Sequence, residues 1–236
     1  MSGSKIDFIS SYCDRWCERC GFTNRCAVYE CTIAIEMCED VRDGIELVIG
    51  SHAAEALSAQ APSERELEEY RRAKQKQDAR IAALPLSRMA DVYRSRAVDW
   101  VNAHREALDA HPDLIVRDAF AVVSWDTFFI GAKIHRALHG RDRRQHGEDL
   151  GDDDPVQNDW NGSAKVALIS IARSADAWRA LGSATGDAAA SALGDALDHL
   201  RRTLADAFPD AMAFMRPGFD DPAERGGDHA VIVRPR

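Results

Sequence analysis

The chain has 236 residues, of which 45% are hydrophobic and 29% charged, with a formal net charge of −9. That is the composition of a soluble globular protein with material for one large domain, or one domain plus an appendage. No apolar run nears the roughly 20 residues that span a bilayer, and the acidic balance argues against nucleic acid as a partner.

The first stretch, "MSGSKIDFISSYCDRW", has neither the basic nor the apolar region of a secretion signal, so a cytoplasmic protein with reduced thiols is expected. All six cysteines fall within the first 38 residues: Cys13, Cys17, Cys20, Cys26, Cys31 and Cys38. Disulfides in a large helical protein would tie distant segments together, so this clustering predicts a local site instead. The spacing "CDRWCERCGFTNRC" is C-x3-C-x2-C-x5-C. If the segment is helical, Cys13, Cys17 and Cys20 share one face, Gly21 ends the helix and Cys26 folds back towards them. Four soft thiolates brought together in this way suit zinc or an iron–sulfur cluster. Helical cysteines one turn apart have Cβ atoms about 5–6 Å apart, which favours a [4Fe–4S] cluster over the tighter zinc tetrahedron. Tyr12, Trp16 and Phe22 are placed to screen such a site, and Arg15, Arg19 and Arg25 to offset its charge.

Further along, "AVYECTIAIEMCEDVRDGIELVIG" carries Cys31, Ile35, Cys38, Val41, Ile45 and Val48 at helical spacing and reads as one helix ending at Gly50, with Cys31 and Cys38 as core cysteines. "APSERELEEYRRAKQKQDARIAAL" opens with Pro62 and a Ser63–Glu66 capping box and predicts a solvated helix or connector. The next segment places Met89, Val92, Tyr93, Ala97, Trp100, Val101 and Leu108 on one stripe and stops before Pro112. From Ala119 to Ile134 the chain is apolar almost all round, the pattern of a central helix, interrupted by Asp126. A buried ion pair with Lys165 or Arg173 is the expected role of that acid, with a cavity-lining functional acid as the alternative.

A polar breaker follows over 140–162, including "DLGDDD", which lacks the spacing of a calcium loop. "NGSAK" reads as a helix start capped by Asn161 or Ser163, because a phosphate loop would need spaced glycines. Two more helical patterns run from Ser163 to Leu181 and from Asp187 onward, and the end of the chain reads as an irregular tail in which "AVIV" is a candidate short strand. His135 and His139, one turn apart, are a weaker candidate metal pair, since histidine is also favoured at a helix C-terminus. Neither a di-iron Glu-x-x-His motif, a nucleophile elbow nor a dinucleotide fingerprint occurs.

The motif "CDRWCERC" followed by "FTNRC" resembles the cysteine signature of a group of uncharacterised bacterial proteins in which such a cluster precedes a helical region. Its C-x3-C-x2-C core is also similar to that of proteins described as zinc- or iron-chelating cysteine-cluster proteins. The resemblance spans residues 12–26 and implies only that Cys13, Cys17, Cys20 and Cys26 act together. The same triplet occurs in radical SAM enzymes, but the alternating strands and glycine-rich motifs of their barrel are missing.

The expectation is therefore an all-α multi-helix bundle over 51–215, preceded by a cysteine-cluster segment and first helix over 1–50 and followed by a tail over 216–236. Two functions are compatible with it. One is a metal-binding protein with a [4Fe–4S] cluster, or zinc, on Cys13, Cys17, Cys20 and Cys26 in a redox or sensing role. The other is a helical interaction or ligand-binding module in which a zinc on the same four cysteines is purely structural, with Trp100, Trp125, Trp160 and Trp178 as candidate pocket walls. No reaction, substrate or partner is singled out, and a protein partner or self-association remains open.

Overall fold

The computed structural model describes residues 4–51, 62–147 and 154–221. These contain seven α-helices, four single 3-10 turns and no strand, so the protein is all-α over the described residues. The candidate "AVIV" strand and most of "DLGDDD" lie outside them. The helices are α1 (Ala27–Cys38), α2 (Val41–Ile49), α3 (Glu64–Ala82), α4 (Pro85–Asp109), α5 (Leu114–Gln145), α6 (Asp159–Thr185) and α7 (Ala188–Ala207). They form two compact units, Met1–Lys74 with Met215–Arg236, and Gln75–Phe214. The boundary between the units falls within α3.

In the smaller unit the single helix expected over 27–50 is a hairpin. Glu39 turns left-handed at φ 55°, and Asp40 caps a new helix by accepting the Arg42 and Asp43 amides at 2.8 and 3.0 Å. The apolar period runs through this break, but a good N-cap acid outcompetes helix continuation. The two helices cross at Gly44, where a Cβ would sit 2.5 Å from the Ile35 backbone. Cys31 and Cys38 are half-buried and do not form a core. The capping box on α3 is formed as expected. Ser63 donates to Glu66 Oε2 through its hydroxyl at 2.6 Å and its amide at 2.8 Å, which holds the Glu66 carboxyl below its ordinary pKa, and the Glu66 amide donates back to Ser63 Oγ at 3.3 Å.

The larger unit is an up-down-up-down bundle of α4, α5, α6 and α7, as the pairing of levels along adjacent helices shows. Asp126 meets Arg173 and Arg136 meets Asp159, so α5 and α6 run antiparallel. Arg179 meets Asp198 across the tight α6–α7 turn at Gly186 (φ 69°), and Trp100 on α4 reaches the Asp187 cap of α7. Ile130, Ile134, Leu138, Ile171, Leu181 and Leu197 fill the centre. Helix α5 is central but not buried all round, since Trp125 and Phe128 face outward at 36% and 61% exposure. It also extends beyond the expected stop, to Gln145. Helix α6 begins earlier than expected. Asn158, not Asn161 or Ser163, is its cap, accepting the Asn161 amide at 2.9 Å, and Asn161 and Ser163 are buried within the first turns.

Asp142 ties the end of α5 to α3. Its carboxylate accepts from Arg80 Nε at 3.0 Å and Nη2 at 2.5 Å and from Gln77 at 3.2 Å, with the His146 ring 3.5 Å away. The Arg80 hydrogen bonds hold its carboxyl below the ordinary range. A carboxyl with a depressed folded pKa stabilises above its unfolded value near 3.9, and that contribution is lost as pH falls through the lower folded value. Asp142→Asn is expected to cost about 1–3 kcal/mol at neutral pH. Urea titrations should show the gap to wild type closing as pH drops below about 4, and a gap that is constant with pH would refute this role.

Candidate functional site

The cysteine segment is not an α-helix. Residues Ile9–Ser11, Cys17–Arg19 and Thr23–Arg25 form separate 3-10 turns, so Cys13, Cys17 and Cys20 do not share a helical face. The reason is local. Asp14 Oδ1 accepts the Trp16 amide at 3.1 Å, Arg15 adopts a left-handed φ of 59°, and Cys20 leaves its turn extended at ψ 127°. Such side-chain-to-backbone bonds compete with a helix ladder, and together these turns coil the chain back on itself.

Cys13, Cys17, Cys20 and Cys26 all line one small cavity of about 20 Å³, while Cys31 and Cys38 do not. Two backbone amides point at sulfur, Arg15 N–H to Cys13 Sγ and Phe22 N–H to Cys20 Sγ, both at 3.4 Å. Amides aimed at sulfur stabilise thiolate and orient it. Burial pushes the Cys17 and Cys20 thiols upward; Cys13 and Cys26 add to the effect at Cys17, and Cys13, Asp14 and Cys17 at Cys20. As the side chains stand, all six cysteines are free thiols, and no group of three or more His, Cys, Asp or Glu among the described residues is gathered tightly enough to hold an ion. The four thiols ring a common cavity in an open arrangement.

The surroundings differ in detail from the sequence reading. Trp16 does wall the cavity, with the Arg19 guanidinium stacked 3.8 Å over its ring, and Arg15 lies at the rim. Arg25 instead donates to Ser4 O at 2.9 Å. Phe22 is buried and meets Phe219 edge-on at 5.1 Å, and Phe219 forms a cavity wall that the sequence reading did not anticipate. Residues 216–221 make defined contacts. Gly218, at φ 78°, packs against Ile6 and Ile9 within the same unit, and Arg216 pairs with Asp220 at 2.9 Å. No spacing rule links Phe219 to cysteines some 200 positions earlier; the Pro217–Gly218 turn next to an aromatic was the only local signal.

The other candidates separate. His135 Nε2 lies 3.3 Å from Ser87 Oγ and 3.8 Å from Asp91 Oδ1, whereas His139 Nε2 faces Asp78 at 3.4 Å. The histidines thus face different acids and do not converge on a metal. The Ser87–His135–Asp91 group is not a catalytic triad either, because serine and acid approach the same ring nitrogen. Asp126, fully buried, accepts from Arg173 Nε at 3.1 Å and Nη2 at 2.6 Å, whereas Lys165 donates to Phe214 O at 2.6 Å. Of the four tryptophans, only Trp100 lines the bundle's large cavity.

No described helix is long and apolar enough to cross a membrane. Compared with family models, curated proteins and solved structures, the chain matches none of them.

The left-handed Arg15 carries the turn between Cys13 and Cys17, and a β-branched residue is strained there. Arg15→Val is expected to weaken hydrogen-exchange protection across residues 4–26 by about 1–2 kcal/mol, and Arg15→Gly to retain it. Equal protection in both variants would show that the turn does not organise the segment.

Proposed function

We propose that the N-terminal unit is a four-cysteine metal-binding module in which Cys13, Cys17, Cys20 and Cys26 hold one zinc ion whose main role is structural. The observation that carries this is the convergence of these four thiols, and not Cys31 or Cys38, on a single cavity with backbone amides directed at two of the sulfurs.

Three arguments support zinc. The helical spacing that favoured a [4Fe–4S] cluster is not formed. The cavity, about 20 Å³, has room for about one water-sized sphere, and a cluster of four irons and four sulfides would require the loop to open. The unit also needs a staple, because Ile9, Phe22 and Ala34 are its only buried hydrophobic residues among those described. Each such side chain returns at most about 1.5–3 kcal/mol, whereas each ordered residue costs about 1–2 kcal/mol of backbone entropy. Metal binding to thiolates supplies folding energy directly. A redox or sensing role on an iron–sulfur cluster is the second reading, favoured by the aromatic wall of Trp16, Tyr29 and Phe219 around the sulfurs.

Metal and acid-labile sulfide analysis of protein purified without oxygen separates the two. The expected result is equimolar zinc with no visible absorption, lost on Cys→Ser substitution at 13, 17, 20 or 26 and retained in Cys31→Ser and Cys38→Ser. Iron with labile sulfide would replace zinc by a cluster on the same ligands. Metal-free protein, or equal loss from all six substitutions, would overturn the four-cysteine assignment.

A further inference from the structure

The larger unit contains a cavity of its own. A cavity of about 690 Å³ runs along the seam between α4 and α7, within the range of small-molecule pockets. The volume exists because α7 presents Ala189, Ala192 and Ala196 to the seam where larger residues would have closed it. Its floor is apolar and chemically saturated. Tyr93 OH already accepts from Trp178 Nε1 at 3.0 Å, and Trp100 Nε1 donates to Asp187 at 2.6 Å, so these rings turn carbon towards the groove.

Its shape selects the body of a ligand. The α4 lining runs from Arg88 to His104, about 24 Å at 1.5 Å per residue, so the cavity is drawn out into a long apolar groove. A single extended alkyl chain matches the length and the apolar lining of such a groove.

Charge selects the head. In a chain of net charge −9, the lining carries Arg88 and Arg96 against one acid, Asp99. Neither arginine has a carboxylate partner among the described residues; Arg88 donates only to the Ala82 carbonyl, at 3.3 Å. The Trp100–Asp187 bond fixes the register of the antiparallel pair. Counting equally back along α4 and forward along α7 from it brings Arg88 level with His199. One end of the groove therefore has Arg88 of α4 and His199 of α7 at the same level of its lining. At the other end His104 already has an acid partner, Asp187, 3.5 Å away.

We propose that this groove binds a free, unbranched long-chain carboxylate, with its head between Arg88 and His199 and its chain along Val92, Tyr93, Leu193 and Ala196.

The test is calorimetric titration of the full chain with dodecanoate, tetradecanoate and dodecanol, each below its micellar concentration. Burial of two further methylenes should make tetradecanoate bind about fifteenfold tighter than dodecanoate. Arg88→Glu should weaken dodecanoate at least tenfold and leave dodecanol unchanged. Ala196→Trp should abolish binding of both acids. Ala192, on the exposed side of the seam, gives a second blocking variant: Ala192→Trp decides if Ala196→Trp lowers the melting temperature. The proposal is overturned if neither acid binds, if affinity is independent of chain length, if Arg88→Glu weakens acid and alcohol alike, or if Ala192→Trp binds as wild type.

Discussion

The smaller unit is governed by how little apolar surface it can bury. Its helices are short and joined by a left-handed turn, and three buried hydrophobic side chains are all that the described residues supply. A chain segment in that position needs cross-links to hold one conformation, whether disulfides, metal or a partner. The zinc proposed for the four cysteines would answer this constraint. Cys31 and Cys38 sit on the hairpin, whereas Cys13, Cys17, Cys20 and Cys26 lie in the coiled segment before it and line one cavity. Phe22 and Phe219 then close the same spot from the side, so the few apolar contacts and the sulfur ring reinforce a single locus.

The larger unit solves the opposite problem. It has apolar surface in excess, and its risk is an ambiguous register between helices rich in alanine and leucine. Directional bonds resolve it. Asp126 and Arg173 lock α5 to α6 in the interior, Tyr93 and Trp178 lock α4 to α6, and Trp100 with Asp187 locks α4 to the start of α7. Burial lifts the Tyr93 pKa to about 12, so its hydroxyl stays neutral and keeps a fixed hydrogen-bonding role at physiological pH. Each bond contributes modestly, but a one-turn slip would leave a buried charge or N–H unpaired, and that penalty makes the arrangement unique.

These same residues explain what was legible in the sequence. Long helices, the capping box at Ser63 and the Asp126–Arg173 pair follow from periodicity and from the cost of a lone buried acid, both of which are local or chemically forced. Cys13, Cys17, Cys20 and Cys26 line one cavity, but not in the helical conformation that their spacing predicted. Spacing of three and four matches a helix equally well whether or not the chain is one, and the deciding features, an Asx turn at Asp14 and a positive φ at Arg15, leave no periodic trace. The hairpin was hidden for the same reason, since apolar positions kept their phase across Glu39–Asp40. Phe219 was out of reach because its contact is purely tertiary.

The groove shows why a helical stripe is an incomplete guide to a core. Met89 and Val92 belong to the same apolar stripe as Tyr93, Ala97 and Trp100, yet Val92 remains 52% exposed while Ala97 is fully covered. The difference arises on the facing helix. Along α7, Leu193, Leu197, Leu200 and Leu204 point inward and are buried, but the flank that faces Val92 carries alanines. Leucines on that flank would have sealed the seam and added burial worth about 0.8 kcal/mol per methylene. The bundle forgoes that stability along the α4–α7 seam, whose lining also carries two arginines without acid partners among the described residues, and this concurrence of missing volume with positive charge is what the proposed ligand would use.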